Sequence, residues 1–93
     1  MKFFVYAVKS LSKEYVYIGQ TNNLVRRLKE HNNEETSSNR SYSPFKLIYY
    51  EEHNSRTLVV LAEKELKRGC RREELRRYAY HGEIPKWLKG LVC

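Results

Sequence analysis

The stretch YVYIGQTNNLVRRLKEH, residues 15–31, decides the fold. It reads as a short aromatic strand running into a glycine-containing turn that opens an amphipathic helix. Thr21, Asn22 and Asn23 are all good N-cap residues, and Leu24, Val25 and Leu28 mark an apolar helix face. Arg27 and His31 are four residues apart, so their side chains project from one side of that helix. At the strand end Tyr17 stands beside Gly19, whose missing Cβ lets another group approach the backbone closely. A phenol, a guanidinium and an imidazole gathered at such a turn are suited to gripping and attacking a phosphate ester.

Upstream, Phe3 to Val8 is apolar or aromatic at every position and reads as a strand buried on both faces. Lys9 to Glu14 is a polar connection of hairpin length, which makes the two strands an antiparallel pair. A tight hairpin would set Tyr6 and Tyr17 at equivalent depth, although each alone also reads as a packing aromatic. Downstream, residues 32–43 are rich in Asn and Ser and read as a loop. Pro44 closes it and opens a third strand, Phe45–Glu52, in which Phe45, Leu47 and Tyr49 alternate with Lys46, Ile48 and Tyr50.

His53 and Asn54 form a turn, and Asn54 or Ser55 caps a second helix with the stripe Leu58, Val59, Leu61, Ala62 and Leu66. Glu63 lies beside that stripe. Gly69 ends the helix, and Arg71 to Tyr80 forms a third helix closed by Gly82. Pro85 opens a short final segment with Trp87 and Leu88. The order β-β-α-β-α-α predicts an α+β fold with a three-stranded antiparallel sheet flanked by helices. Residues 1–93 are expected to form a single domain, with a core over about 3–68 and a basic C-terminal helical extension over about 69–93.

Composition narrows the function. No stretch approaches the roughly 20 apolar residues that span a bilayer, and the first ten residues are too short for a signal peptide. The expectation is a cytoplasmic protein with no membrane. Two cysteines, Cys70 and Cys93, supply neither a disulfide framework nor a four-ligand zinc site. They read as a small half-buried residue and a terminal thiol.

Eighteen Lys and Arg against eleven acidic residues give a net charge of +7, with ten of the basic residues and five of the acidic ones falling from Arg56 onward. Such a bias points to a polyanion, most simply nucleic acid, although a basic surface also serves solubility. Lys67, Arg68, Arg71, Arg72, Arg76 and Arg77 crowd one short segment, followed by Tyr78 and Tyr80. They read either as a phosphate-tracking surface or as a solvated helix face paired with Glu73 and Glu74. Every acidic residue is Glu, so carboxylate chemistry falls to Glu. His53 and His81 read as exposed turn residues, and Glu34, Glu35, Glu51 and Glu52 as surface charges.

Val5-Tyr6, then Tyr17-Ile18-Gly19, Arg27, His31 and a later Glu63 resemble the GIY-YIG nuclease superfamily, in particular its small stand-alone bacterial members. The resemblance runs from about Phe3 through Lys67 and includes the NLVRRLKEHN, PFKLIYYE and EKELK segments. It implies a divalent-metal-dependent endonuclease acting on DNA, with RNA left open, in repair, recombination or mobile-element processing. Tyr6 and Tyr17 match the tyrosines of the two triplets, Arg27 the helical arginine, and His31 a histidine present in many members. Glu63 matches the carboxylate that holds Mg²⁺, with Mn²⁺ as substitute, and is preferred to Glu65 because it has the family's E-x-x-L-K spacing.

The chemistry suits these groups: phosphodiester cleavage needs an attacking water, charge neutralisation on phosphoryl oxygens and help for the leaving alkoxide. Tyr6 acting as base with help from His31, and Tyr17 positioning water or phosphate, is one assignment; the reverse is the other. Phe4 replaces the glycine of the first triplet. Gln20 stands where some members have a lysine that touches the scissile phosphate. Gln20, Arg26, Lys67, Arg68, Arg71 and Arg72 are the expected nucleic-acid contacts, and a partner protein supplying specificity is a further expectation. The rival readings are a nucleic-acid-binding module without useful turnover and a structural subunit of a DNA-processing assembly.

Overall fold

A computed structural model describes residues 2–32, 42 and 44–82. Its elements follow the expected order: β1 (Phe3–Ser10), β2 (Val16–Thr21), α1 (Leu24–Asn32), β3 (Phe45–His53), α2 (Arg56–Leu66) and α3 (Gly69–His81). The antiparallel sheet has the order β2-β1-β3. Its central position explains why β1 carries apolar groups on both sides: Val5, Tyr6, Ala7 and Val8 are all fully buried. Alternation then divides the core. Val5 and Ala7 pack with Val16, Ile18 and Tyr49 beneath Val59, Leu66 and Leu75, so α2 and α3 cover that face. Tyr6, Val8 and Phe45 pack with Leu24 and Leu28, so α1 covers the other.

Pairing sets two registers that local sequence does not specify. Tyr6 lies opposite Gly19 and Val8 opposite Tyr17. The two tyrosines therefore share a face but sit two positions apart, as a diagonal pair with ring centroids 6.2 Å apart, rather than at equivalent depth. The cause is a connection longer than a tight turn, closed by Ser10 N–H donating to the Tyr15 carbonyl at 2.9 Å. The Ser10 hydroxyl accepts the N–H groups of Ser12 and Lys13 inside it. In β3, Ala7 pairs with Tyr49 but Val8 with Leu47, leaving Ile48 as the extra residue of a bulge. The bulge moves Tyr49 to the α2–α3 face while Phe45 and Leu47 remain on the α1 face, so the simple alternation expected through this strand does not hold.

Capping follows the sequence reading closely. The Asn23 side chain accepts from Arg26 N–H at 3.0 Å, and the Ser55 hydroxyl from Leu58 N–H at 3.2 Å. Gly82 ends α3 at φ 72°, a left-handed position that suits glycine. Gly69, expected to end α2, instead begins α3. The break is made by Lys67 and Arg68, the latter extended at φ −60°, ψ 143°.

The apolar stripes are narrower than expected. Val25, Leu58 and Leu61 are more than half or half exposed, and on α2 only Val59 and Leu66, two turns apart, are fully buried. A three-stranded sheet offers too little width to cover more of a helix. Cys70 is exposed rather than half-buried.

Tyr80 fixes α3 to the hairpin. Its hydroxyl accepts Tyr15 N–H at 3.0 Å and faces the carbonyls of Ser10, Lys13 and Tyr15 at 2.8–3.0 Å. Lys9 donates to the Ala79 carbonyl at 2.9 Å and lies over the Tyr80 ring. Tyr78 packs against the core. Neither tyrosine is left on a basic surface for bases to stack on. Glu51 is also drawn inward, accepting from the Tyr49 hydroxyl and pairing with His53 at 3.1 Å. His81 is exposed at the end of α3. The loop expected over 33–43 (Tyr42 apart), the segment with Pro85, Trp87 and Leu88, and Glu34, Glu35 and Cys93 lie outside the described residues.

Candidate active site

Four of the five expected catalytic side chains meet on the α1 face of the sheet. Tyr6 comes from the central strand, and its hydroxyl lies 2.8 Å from His31 Nε2 and 3.2 Å from Arg27 Nε. Arg27 donates to the phenol oxygen, and the phenol and His31 Nε2 share the second hydrogen bond, its direction set by the imidazole tautomer. His31 is almost fully buried. Burial, reinforced by the Arg27 charge, pushes its pKa down to about 4, so the imidazole is neutral near pH 7. Burial likewise pushes Tyr6 up to about 12 despite the opposing Arg27 hydrogen bond.

Tyr17 completes the group, its ring centroid 4.9 Å from that of His31 in an edge-on contact. It is only partly buried, whereas Tyr6 has no exposed surface. Glu30 pairs with Arg27 at 3.5 Å one turn along α1. Asn32 ties the end of that helix to β3 by exchanging hydrogen bonds with both backbone groups of Phe45.

Gly19 makes the cluster possible. A Cβ built there would stand 2.9 Å from both Tyr6 Oη and Tyr17 Cε1 and 3.1 Å from Tyr6 Cζ. The group that approaches the glycine backbone is thus the Tyr6 phenol, which crosses the edge strand in the space a side chain would fill.

Glu63 stands apart from these four, on α2 over the opposite face. One carboxylate oxygen accepts from Gln20 Nε2 at 3.2 Å, and the other pairs with Lys67 Nζ at 3.5 Å. Its charge still acts on the Tyr6 phenol. The link between the two halves is the β2 edge, where Gly19 admits Tyr6 and the next residue, Gln20, reaches Glu63. Gln20 Oε1 is buried and has no hydrogen-bond partner among the described residues. A carboxylate bonded to a primary amide whose oxygen has no partner among the described residues supplies hard oxygen donors, which fit Mg²⁺ or Mn²⁺.

The six expected nucleic-acid contacts divide. Lys67 and Arg72 line a notch of about 210 Å³ along β2 with Tyr15, Tyr17 and Ile18. Arg68 and Arg71 both pair with Glu65, at 3.6 and 3.7 Å, and Arg26 bonds to Asn22 at 3.3 Å on the exposed side of α1. Gln20 is turned to Glu63. Further along, Arg76 and Arg77 pair with Glu73, the arrangement of a solvated helix face.

Tyr15 is the notch residue that sequence reasoning missed. Burial raises its phenol pKa, with the nearby Arg72 charge opposing. Its spacing of two from Tyr17, on an edge strand, was the available signal.

Fold and cluster together define a small α+β domain of nuclease type, with a phenol–guanidinium–imidazole group on one sheet face and a carboxylate across the edge strand. The chain belongs to the GIY-YIG family: the family model described as the GIY-YIG catalytic domain matches residues 2–78. No curated protein and no solved structure matches the chain.

Proposed function

We propose that this protein is a divalent-metal-dependent endonuclease that hydrolyses DNA phosphodiester bonds, in the setting of repair, recombination or mobile-element processing. One observation carries the reading: Arg27, a permanent cation, is anchored through Nε to a buried phenol beside the notch that Tyr17 shares with Lys67 and Arg72. With Nε anchored, the guanidinium presents a fixed fork that lysine lacks, and a phosphate would take the place of Glu30, which pairs with one terminal nitrogen at 3.5 Å. Glu63 would hold the cation, which when bound neutralises charge on the phosphoryl oxygens and eases departure of the alkoxide.

Between the two tyrosine assignments, burial supports the reverse of the Tyr6-as-base scheme. Tyr6 has no exposed surface and a pKa near 12, so it serves as the post that holds Arg27 and His31 in place. Tyr17 opens to the notch and would take the proton from the attacking water. Lys67 and Arg72 take phosphates flanking the scissile one.

Plasmid nicking with Mg²⁺ or Mn²⁺ tests this. Wild type is expected to nick, and Glu63→Ala and Arg27→Ala to lose at least about 10²-fold while still binding DNA at low salt. Equal nicking by all three would mean a contaminating nuclease and leave a binding module as the better description.

A further inference from the structure

Gln20 is used at only one end. Its Nε2 donates to Glu63 Oε2 at 3.2 Å, while its Oε1 is buried and meets no donor among the described residues. A glutamine kept only to brace a carboxylate would be expected to satisfy both ends, since a buried amide oxygen left unpaired is costly. The two ends of a primary amide have nearly the same shape, so a half-turn about the last torsion exchanges them without new space. That turn breaks one hydrogen bond, because Oε1 has none to lose. It brings an amide oxygen to about 3.2 Å from Glu63 Oε2, the distance Nε2 now holds. Neighbouring oxygens in an octahedral shell with bonds of about 2.1 Å stand roughly 3 Å apart. After the half-turn the amide oxygen, in the place Nε2 now holds, would stand at about that spacing from Glu63 Oε2.

We propose that Gln20 is the second protein ligand of the divalent cation held by Glu63, engaged by this half-turn. The inference rests on the reading of Glu63 as the metal carboxylate. In the cation-free arrangement Gln20 Nε2 and the Lys67 ammonium divide the two Glu63 oxygens between them. On binding, the amide turns to present oxygen. Lys67, whose side chain is half exposed and already lines the notch, is released from Glu63 and becomes available to a phosphate there. Gln20 thus orders the cation, and the lysine freed from Glu63 becomes a phosphate contact.

The test needs no substrate. Mn²⁺ is titrated into wild type, Glu63→Gln, Gln20→Ala and Gln20→Glu, with free Mn²⁺ followed by its electron paramagnetic resonance. The waters on bound Eu³⁺ are counted from luminescence lifetimes in H₂O and D₂O. Thermal unfolding of each variant establishes that it folds. The expected results are loss of binding in Glu63→Gln, about tenfold weaker binding in Gln20→Ala with one additional water on Eu³⁺, and tighter binding in Gln20→Glu.

Gln20→Glu separates ligation from bracing. A mere brace replaced by a second carboxylate would repel Glu63 and weaken binding, and it keeps the proposal testable if Gln20→Ala fails to fold. Unchanged affinity and water count in Gln20→Ala, or weaker binding in Gln20→Glu, would overturn the role of Gln20 while leaving Glu63 in place. Equal Mn²⁺ binding by wild type and Glu63→Gln would instead remove Glu63 as the metal carboxylate.

Discussion

Replacing Gly19 by alanine adds one methyl group where the structure has least room for it. The new Cβ would lie 2.9 Å from Tyr6 Oη and Tyr17 Cε1, against ordinary contacts that begin at 3.4 Å, so each must retreat by about 0.5 Å. Tyr17, half-buried, can yield; Tyr6 cannot do so freely. It has no exposed surface, and its hydroxyl is held at 2.8 Å by His31 and 3.2 Å by Arg27. Pushing the phenol away stretches one of those bonds or compresses the other.

Overpacking of this kind costs about 1–3 kcal/mol, while removing a glycine from a strand returns about 0.5–1 kcal/mol through the unfolded chain. The overpacking wins, for a net loss of about 1–2 kcal/mol, or about 5–15 °C in melting temperature for a domain of this size. Displacement of Arg27 from its anchor should cost nicking about 10²-fold more than the stability loss explains, measured at a temperature where both proteins are folded. Calorimetry and nicking of Gly19→Ala check both numbers. A variant that melts with wild type and nicks at the wild-type rate would refute the account of how the Tyr6 phenol crosses the edge strand.

Two further outcomes follow from the same geometry. The folded pKa of His31, about 4, lies below the ordinary value of 6.5, so the unfolded chain takes up the proton first. The contribution of neutral His31 is complete above pH 6.5 and falls away between 6.5 and 4, by up to about 3 kcal/mol. In denaturant titrations the stability of wild type should fall relative to that of His31→Gln as pH drops through that range, and parallel curves would show that the imidazole is not held neutral. For DNA, the paired change Lys67→Ala with Arg72→Ala should reduce the salt slope of binding by about 2, whereas Arg76→Ala with Arg77→Ala should leave it nearly unchanged, because Glu73 and Glu14 together pair with those two. Equal effects of the two pairs in fluorescence titrations would remove the notch as the phosphate track.

Residue order alone carried the elements and the group on the α1 face. Apolar runs and cap residues locate strands and helices because those signals are local. Arg27 and His31 fall together because a helix repeats every 3.6 residues. Pairing is not local. The bulge at Ile48 and the two-residue offset of Tyr6 from Tyr17 depend on how a five-residue connection and Tyr80, 65 residues from Tyr15, close the hairpin. Exposed Leu58 and Leu61 likewise depend on how wide a sheet meets the helix.

Glu63 shows the division most plainly. Its place beside the apolar stripe of α2 was legible, but that stripe covers the sheet face opposite the tyrosines. What joins the two faces is the most elementary property of a strand, that consecutive residues turn to opposite sides. At the β2 edge Gly19 gives passage to the phenol from one side and Gln20 sends its amide to the carboxylate on the other. Two neighbouring residues with no charge between them therefore bring the Glu63 carboxylate and the Arg27 guanidinium to a single rim. A change at either should disturb both halves, although neither residue is itself an acid or a base.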